Sequence, residues 1–139
     1  GLIQLKKFKK FNMLRNRNFK FHCNFFKKFK DIFIVPKIEK DVKTNFLAYP
    51  IILKDNLNFS RKELQIYLEN HNIQTRPIFS GNILRHPGFS SLINKRNKLD
   101  NFKNSDYIMK YGILIGCHQG LKKNDITYIH KKILNFIRK

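Results

Sequence analysis

Tryptophan is absent from this 139-residue chain, alanine occurs once (Ala48), and acidic side chains number only 9. Cysteine is almost as scarce: Cys23 and Cys117 stand far apart, with no Cys-x-x-Cys spacing. That argues against a zinc or iron–sulfur site built from this chain alone and against a disulfide framework. Two such thiols fit a reducing compartment, so a cytoplasmic location is expected. The longest apolar run, residues 46–53, is short and interrupted by Pro50, far below the ~20 residues of a transmembrane helix. The first residues lack the apolar core of a signal peptide, and Gly1 in place of an initiator methionine suggests a segment of a longer protein. With 6 glycines, none clustered, no glycine-rich phosphate loop can be drawn.

Phenylalanine is abundant, with 14 residues, and the chain is 42% hydrophobic, a globular composition. Its length suits one domain that buries roughly two thirds of its unfolded surface. The 29 lysines and arginines give a formal charge of +20, which raises the possibility of binding to nucleic acid. Lysine outnumbers arginine heavily, however, and arginine is the side chain that reads bases and phosphates bidentately. The excess of Lys, Asn, Ile and Phe also matches codons made of A and T, a drift that would mark any protein. A small basic module for nucleic acid or an anionic surface is therefore the alternative reading, and neither a specific nucleic-acid partner nor a membrane is expected.

The pattern along the chain predicts alternating helices and strands. Leu5, Phe8, Phe11, Leu14, Phe21, Phe25 and Phe29 form an apolar stripe on a long helix over residues 2–30. Residues 31–36 read as a short apolar exit and 46–53 as a buried strand. Ser60 and Glu63 form a capping box, flanked by Phe59 and Leu64 as a hydrophobic staple, so a helix spans 60–71 and stops at Asn72. Residues 73–79 read as a strand confined to an edge by Pro77. A short helix broken at Pro87-Gly88, a loop over 94–101, helical turns over 105–110, a strand over 113–117 and a closing helix over 125–138 follow. The expected fold class is α+β: a connecting helix (1–30), then a small domain (31–139) with a three-stranded, mainly antiparallel sheet covered by helices.

Catalytic constellations are hard to find. Ser80, Ser90 and Ser91 lie near His86, but no nucleophile elbow exists and the nearest downstream carboxylate, Asp100, is in a loop. His22, His71, His86, His118 and His130 lack metal-ligand spacing. What remains is Arg76 with Asn82, Arg85 and His86 around a strand and turn. Arg76 is either a surface charge beside a turn or a planar fork for a carboxylate or phosphate, and spacing leaves both open.

The stretch Asn-Ile-Gln-Thr-Arg-Pro-Ile-Phe-Ser-Gly-Asn at 72–82 resembles a segment of the DegT–StrS family of pyridoxal-phosphate-dependent sugar aminotransferases and 3-dehydrases. Three more pieces resemble it in the same order: Gly1-Leu-Ile-Gln-Leu with Arg15-Asn16-Arg17-Asn18, residues 45–51, and residues 104–121. The Thr-Arg-Pro stretch is most similar to the branch acting on nucleotide-linked 4-keto-6-deoxyhexoses in bacterial surface-polysaccharide synthesis. The resemblance implies a C-terminal small domain, as in fold-type I pyridoxal-phosphate enzymes, with the large domain absent. It implies that the cofactor, its Schiff-base lysine or the dehydrases' histidine base, and the aspartate on the pyridinium nitrogen all precede Gly1. The isolated chain would then hold no cofactor and be inert. In the parent homodimer, Arg76, Asn82 and, less directly, His118 would receive the nucleotide-linked sugar or glutamate at the cleft mouth. One departure stands out: Lys122 and Lys123 follow Leu121 where an acidic first turn is usual, so the last helix is expected to take its cap from Asn124, at a cost of about 1 kcal/mol.

Overall fold

The computed structural model describes residues 1–94 and 98–138. Its order is α1 (Leu2–Phe26), β1 (Phe33–Ile34), β2 (Ala48–Leu53), α2 (Arg61–Glu69), β3 (Thr75–Pro77), α3 (Lys103–Tyr111), β4 (Gly112–Gly116) and α4 (Lys123–Ile137). Short 3-10 helices at Ile83–Arg85, Pro87–Leu92 and Leu99–Phe102 fill the excursion between β3 and α3. The loop expected over 94–101 is replaced by a 3-10 turn from Leu99 onward, and its centre lies outside the described residues.

The sheet is antiparallel throughout and has four strands in the order β1-β2-β4-β3, one more than expected. The added strand is the apolar exit after α1: Phe33 pairs with Leu53 and Ile34 with Ile52. Two residues are too few for a period-two signal, so the sequence gives no sign of it. β3 is an edge strand, as Pro77 requires, and is shorter than its apolar run.

Antiparallel register places opposite residues on one face of a sheet. Tyr49 faces Ile115 and Ile51 faces Ile113. Together with Phe33, Leu53 and Cys117 they are buried under Phe19, Cys23 and Phe26 of α1, Leu64 and Leu68 of α2, and Ile129 and Ile133 of α4. The other face carries Ala48, Pro50, Ile52 and Leu114, all half-buried, and the exposed Arg76. α3 touches β2 and β4 but contributes no fully buried residue.

The predicted α1 stripe is rotated from the face actually buried, which is Asn18, Phe19, His22, Cys23 and Phe26. Leu5 and Phe8 are exposed, Phe21 is about a third exposed (37%), and Phe25 and Phe29 are half-buried. Directional hydrogen bonds account for the rotation. Asn18 Nδ2 donates to the carbonyls of His118 (2.9 Å) and Leu121 (3.3 Å), and His22 bonds to Gly116. Burying these groups elsewhere would leave them unpaired, which costs more than shifting an apolar stripe.

The α2 capping box forms as expected: Glu63 N–H donates to Ser60 Oγ (3.2 Å), and Ser60 N–H donates to Glu63 Oε2 (2.6 Å). Asn72 takes the left-handed conformation (φ 58°) that ends the helix. α4 starts earlier than Asn124, which lies inside it. Its first turn is closed by Lys122 N–H donating to Asp125 Oδ2 at 2.7 Å. A carboxylate at the third helical position thus does the work expected of Asn124.

Candidate functional site

The end of β4 makes a sharp turn into α4, and a groove of about 510 Å³ opens there. Its floor is Ala48 of β2 with Leu114, Ile115 and Gly116 of β4, and Ile129 and Tyr128 of α4 form one wall. Arg76 of β3 and His118 of the turn both line it. Asn72, Ile73 and Gln74, the approach to β3, complete the rim.

The turn owes its shape to small residues. A Cβ at Gly116 would come 3.3 Å from Leu121 Cδ1, and one at Gly120 would come 3.1 Å from His118 Nδ1. Gly120 N–H donates to His118 Nδ1 at 3.2 Å, so a neutral ring carries its proton on Nε2. Beneath this turn, His22 and His130 meet. His22 Nε2 lies 3.1 Å from Gly116 O, an acceptor only, which assigns the proton to that nitrogen. His130 Nε2 then donates to His22 Nδ1 across 3.0 Å. His130 also stacks on Phe25, centroids 3.9 Å apart. Burial pulls His22 down to about 4. Burial, and then the charge His22 would carry, pull His130 to about 3. The neutral pair ties α1, β4 and α4 together under the groove floor.

Pairwise spacing hid this pair, because 108 residues separate its members. A signal was present: Asn18, His22 and Phe26 repeat every four residues, and His130 falls among Ile126, Ile129 and Ile133. The two thiols are buried and inert, burial pushing Cys117 up to about 12. No cluster of metal-ligating side chains occurs among the described residues.

The three residues singled out in the sequence separate. Arg76 and His118 share the groove. Asn82 does not line it: it is 3% exposed, its Nδ2 donates to Asp106 Oδ1 (2.8 Å), and its Oδ1 accepts Leu84 N–H (3.1 Å). Arg85 closes on the same carboxylate with bonds of 3.0 and 2.7 Å. These bonds from Arg85 and then Asn82 hold Asp106 down at about 2. Arg76, by contrast, is exposed, and its side chain has no hydrogen bond or ion pair among the described residues, although its charge helps to hold the Glu69 carboxyl below its ordinary range, after the bonds from Thr75. Its neighbour Glu69 is engaged by Thr75, whose N–H and hydroxyl donate at 3.0 and 2.7 Å.

No lysine lines the groove, so it offers no amine for an imine with an aldehyde cofactor. Asp125, its one lining carboxylate, is taken up by Lys122 N–H. A pyridoxal-phosphate site of the lysine type would therefore need residues from outside this lining. It suits a ligand that presents an anion to Arg76 and an uncharged body to the apolar floor.

An antiparallel four-stranded sheet with α1, α2 and α4 on one face, a long leading helix and an open groove at the sheet's end are the architecture of a small domain of fold-type I pyridoxal-phosphate enzymes. The chain belongs to the DegT/DnrJ/EryC1/StrS aminotransferase family, which matches residues 1–134. It is 28% identical to the lipopolysaccharide biosynthesis protein RfbH of Salmonella typhimurium over 136 residues, covering 98% of this chain and 31% of that protein. Among solved structures, it is similar to the E. coli GDP-4-keto-6-deoxy-D-mannose-3-dehydratase with bound hydrated PLP (27% identity, TM-score 0.76, covering 94% of this chain and 33% of that one). A ColD variant with bound GDP-perosamine is similar too (26% identity, TM-score 0.76, covering 94% and 33%). The chain thus spans about a third of the length of these relatives.

Proposed function

We propose that this chain is the cleft-closing small domain of a pyridoxal-phosphate-dependent, cytoplasmic enzyme that modifies a nucleotide-linked 4-keto-6-deoxyhexose for surface polysaccharide. Within it, residues 1–30 connect to the large domain and residues 31–139 form the lid. Arg76 receives the anionic part of the substrate or of the amino donor glutamate, and His118 offers Nε2–H to it. Asn82 acts one step back, holding the turn beyond Arg76 in place. The cofactor, when bound in the whole enzyme, supplies the chemistry at the sugar carbon. This chain binds, orients and excludes water, and a second subunit completes the cleft.

The observation that carries the reading is the exposed guanidinium of Arg76, without a hydrogen-bonded partner, on an edge strand beside an apolar groove, in a chain matched along nearly its whole length. An arginine fork without a hydrogen-bonded partner, next to an apolar surface, is suited to a ligand's carboxylate or phosphate.

The test is to put this chain in place of the corresponding third of the E. coli 3-dehydratase and assay GDP-4-keto-6-deoxymannose with PLP and glutamate. Turnover by the joined enzyme and none by the isolated chain is expected. A folded joined enzyme that binds PLP but neither binds nor converts the sugar nucleotide would defeat the proposal. The net charge of +20 favours one competitor, a basic nucleic-acid module. Tight binding of the chain to single-stranded DNA, with a steep salt slope and quenching of tyrosine emission, would favour that reading instead.

A further inference from the structure

β4 ends at Gly116 and α4 begins at Lys123, so the turn between them has left the ladder of the sheet. It folds on itself by two bonds, Leu121 N–H to His118 O (3.2 Å) and Gly120 N–H to His118 Nδ1. Among the described residues, the hydrogen bonds that tie residues 117–121 to other elements all run to α1. Arg15 Nε donates to Gln119 Oε1 at 2.8 Å, Cys117 Sγ donates to Arg15 O at 3.5 Å, and Asn18 takes the carbonyls of His118 and Leu121. With His22 on Gly116 O, the α1 positions 15, 18 and 22 fall three and four residues apart, on one face of the helix.

Asn18 is the centre of this contact. It is fully buried, and its amide uses its whole bonding capacity. Nδ2 donates to both carbonyls, and Oδ1 accepts from Arg17 Nε (3.2 Å) and Nη2 (3.0 Å). Carbonyls on one side and a guanidinium on the other settle which way the amide points, since a flipped group would set its oxygen against both carbonyls. The two carbonyls it holds bracket the segment from His118 to Leu121. With His118 Nδ1 engaged by Gly120, Nε2–H is the ring atom left for a ligand in the groove that His118 lines.

We propose that Asn18 is a positioning residue of the groove, fixing the turn so that His118 meets the ligand at one place. Asn18 touches no ligand itself, being buried and absent from the groove lining. Its worth lies in order: a turn outside the sheet ladder would otherwise sample several arrangements, and each binding event would have to select one. The connecting helix is thereby coupled to the groove, because a shift of α1 against the sheet carries His118 with it. The inference rests on the reading above, in which His118 meets the ligand, and adds the residue that sets where it stands.

The experiment has two arms. N18D keeps the shape and the Arg17 contact but sets an acceptor against both carbonyls, and N18L serves as a second, uncharged variant should N18D fold poorly. In the full 139-residue chain, amide hydrogen exchange of Gly120 and Leu121 is read against the β2–β4 ladder amides of the same variant. The turn amides should speed up about tenfold beyond any change in the ladder, as for the loss of one or two hydrogen bonds. Equal acceleration of turn and ladder overturns the proposal, since Asn18 would then serve stability alone. In the enzyme joined to the 3-dehydratase large domain, H118F and N18D should each raise KM for the nucleotide sugar at least about fivefold. The double variant should lose no more than H118F alone, and losses that multiply overturn the proposal, because Asn18 would then not act through His118. H118F with the wild-type KM overturns instead the place given to His118 in the reading above, while the hold of Asn18 on the turn stands or falls by the exchange arm.

Discussion

The two faces of the sheet are built on different terms. On one, Tyr49, Ile51, Leu53, Ile113 and Ile115 lie under three helices with essentially no exposure. On the other, Ala48, Pro50, Ile52 and Leu114 are half-buried, and Arg76 stands exposed at the edge. The first face is finished by the chain itself. The second, with the overhanging first half of α1 and its exposed Leu2, Ile3, Leu5 and Phe8, is placed to meet a ligand or another surface. Under the proposed reading, stability and ligand binding are separated across a single layer of strands, and substitutions on the two sides should fail in different ways.

The largest contrast is expected from truncating neighbours in β4. Ile113→Ala empties a fully buried site and should cost about 3 to 4 kcal/mol in urea unfolding. Leu114→Ala, on the open side, should cost less than about 1.5 kcal/mol. Equal losses would erase the distinction between the faces.

The His22–His130 pair sharpens it through pH. Both rings stay neutral in the fold, held below their ordinary value of 6.5. The unfolded chain therefore binds protons first as pH drops. Stability is fully present above about pH 6.5 and falls from there towards pH 4, by about 1.4 kcal/mol per pH unit for each histidine. Urea midpoints followed from pH 7 to 5 should show this slope, and the double variant His22→Gln/His130→Phe should flatten it, though from a lower starting stability. A slope that survives the double change would assign the effect to other groups.

Away from both faces, Ser60→Ala removes one half of the α2 capping box and should cost about 1 kcal/mol. Glu63→Gln, which keeps an acceptor for Ser60 N–H, should cost less.

The sequence was most legible where a local rule had a local cause. Ser60 and Glu63 announced α2, Asn72 announced its end, and Pro77 announced an edge. It was least legible where distant groups set the outcome. The rotation of α1 follows from Asn18 and His22 reaching carbonyls about 100 residues away, and apolar periodicity carries no information about such partners. The four-stranded count depended on a two-residue strand that pairs only because α1 delivers it beside β2. At the groove, the Arg76 motif was visible, and so was His118, but their convergence required the turn at Gly116 to Gly120. Asn82 was conspicuous for its residue type, and the structure buries it against Asp106, outside the groove lining.

The account's central claim is that the open side of this sheet serves substrate and not the fold, and Arg76→Gln tests it most directly. In the isolated chain, the change should move the unfolding free energy by less than about 0.5 kcal/mol, as for an exposed side chain without a hydrogen-bonded partner. In the enzyme joined to the 3-dehydratase large domain, the same change should raise KM for the nucleotide sugar at least about tenfold, the worth of one charge-assisted contact. An unchanged KM, or a marked loss of stability in the isolated chain, would contradict it.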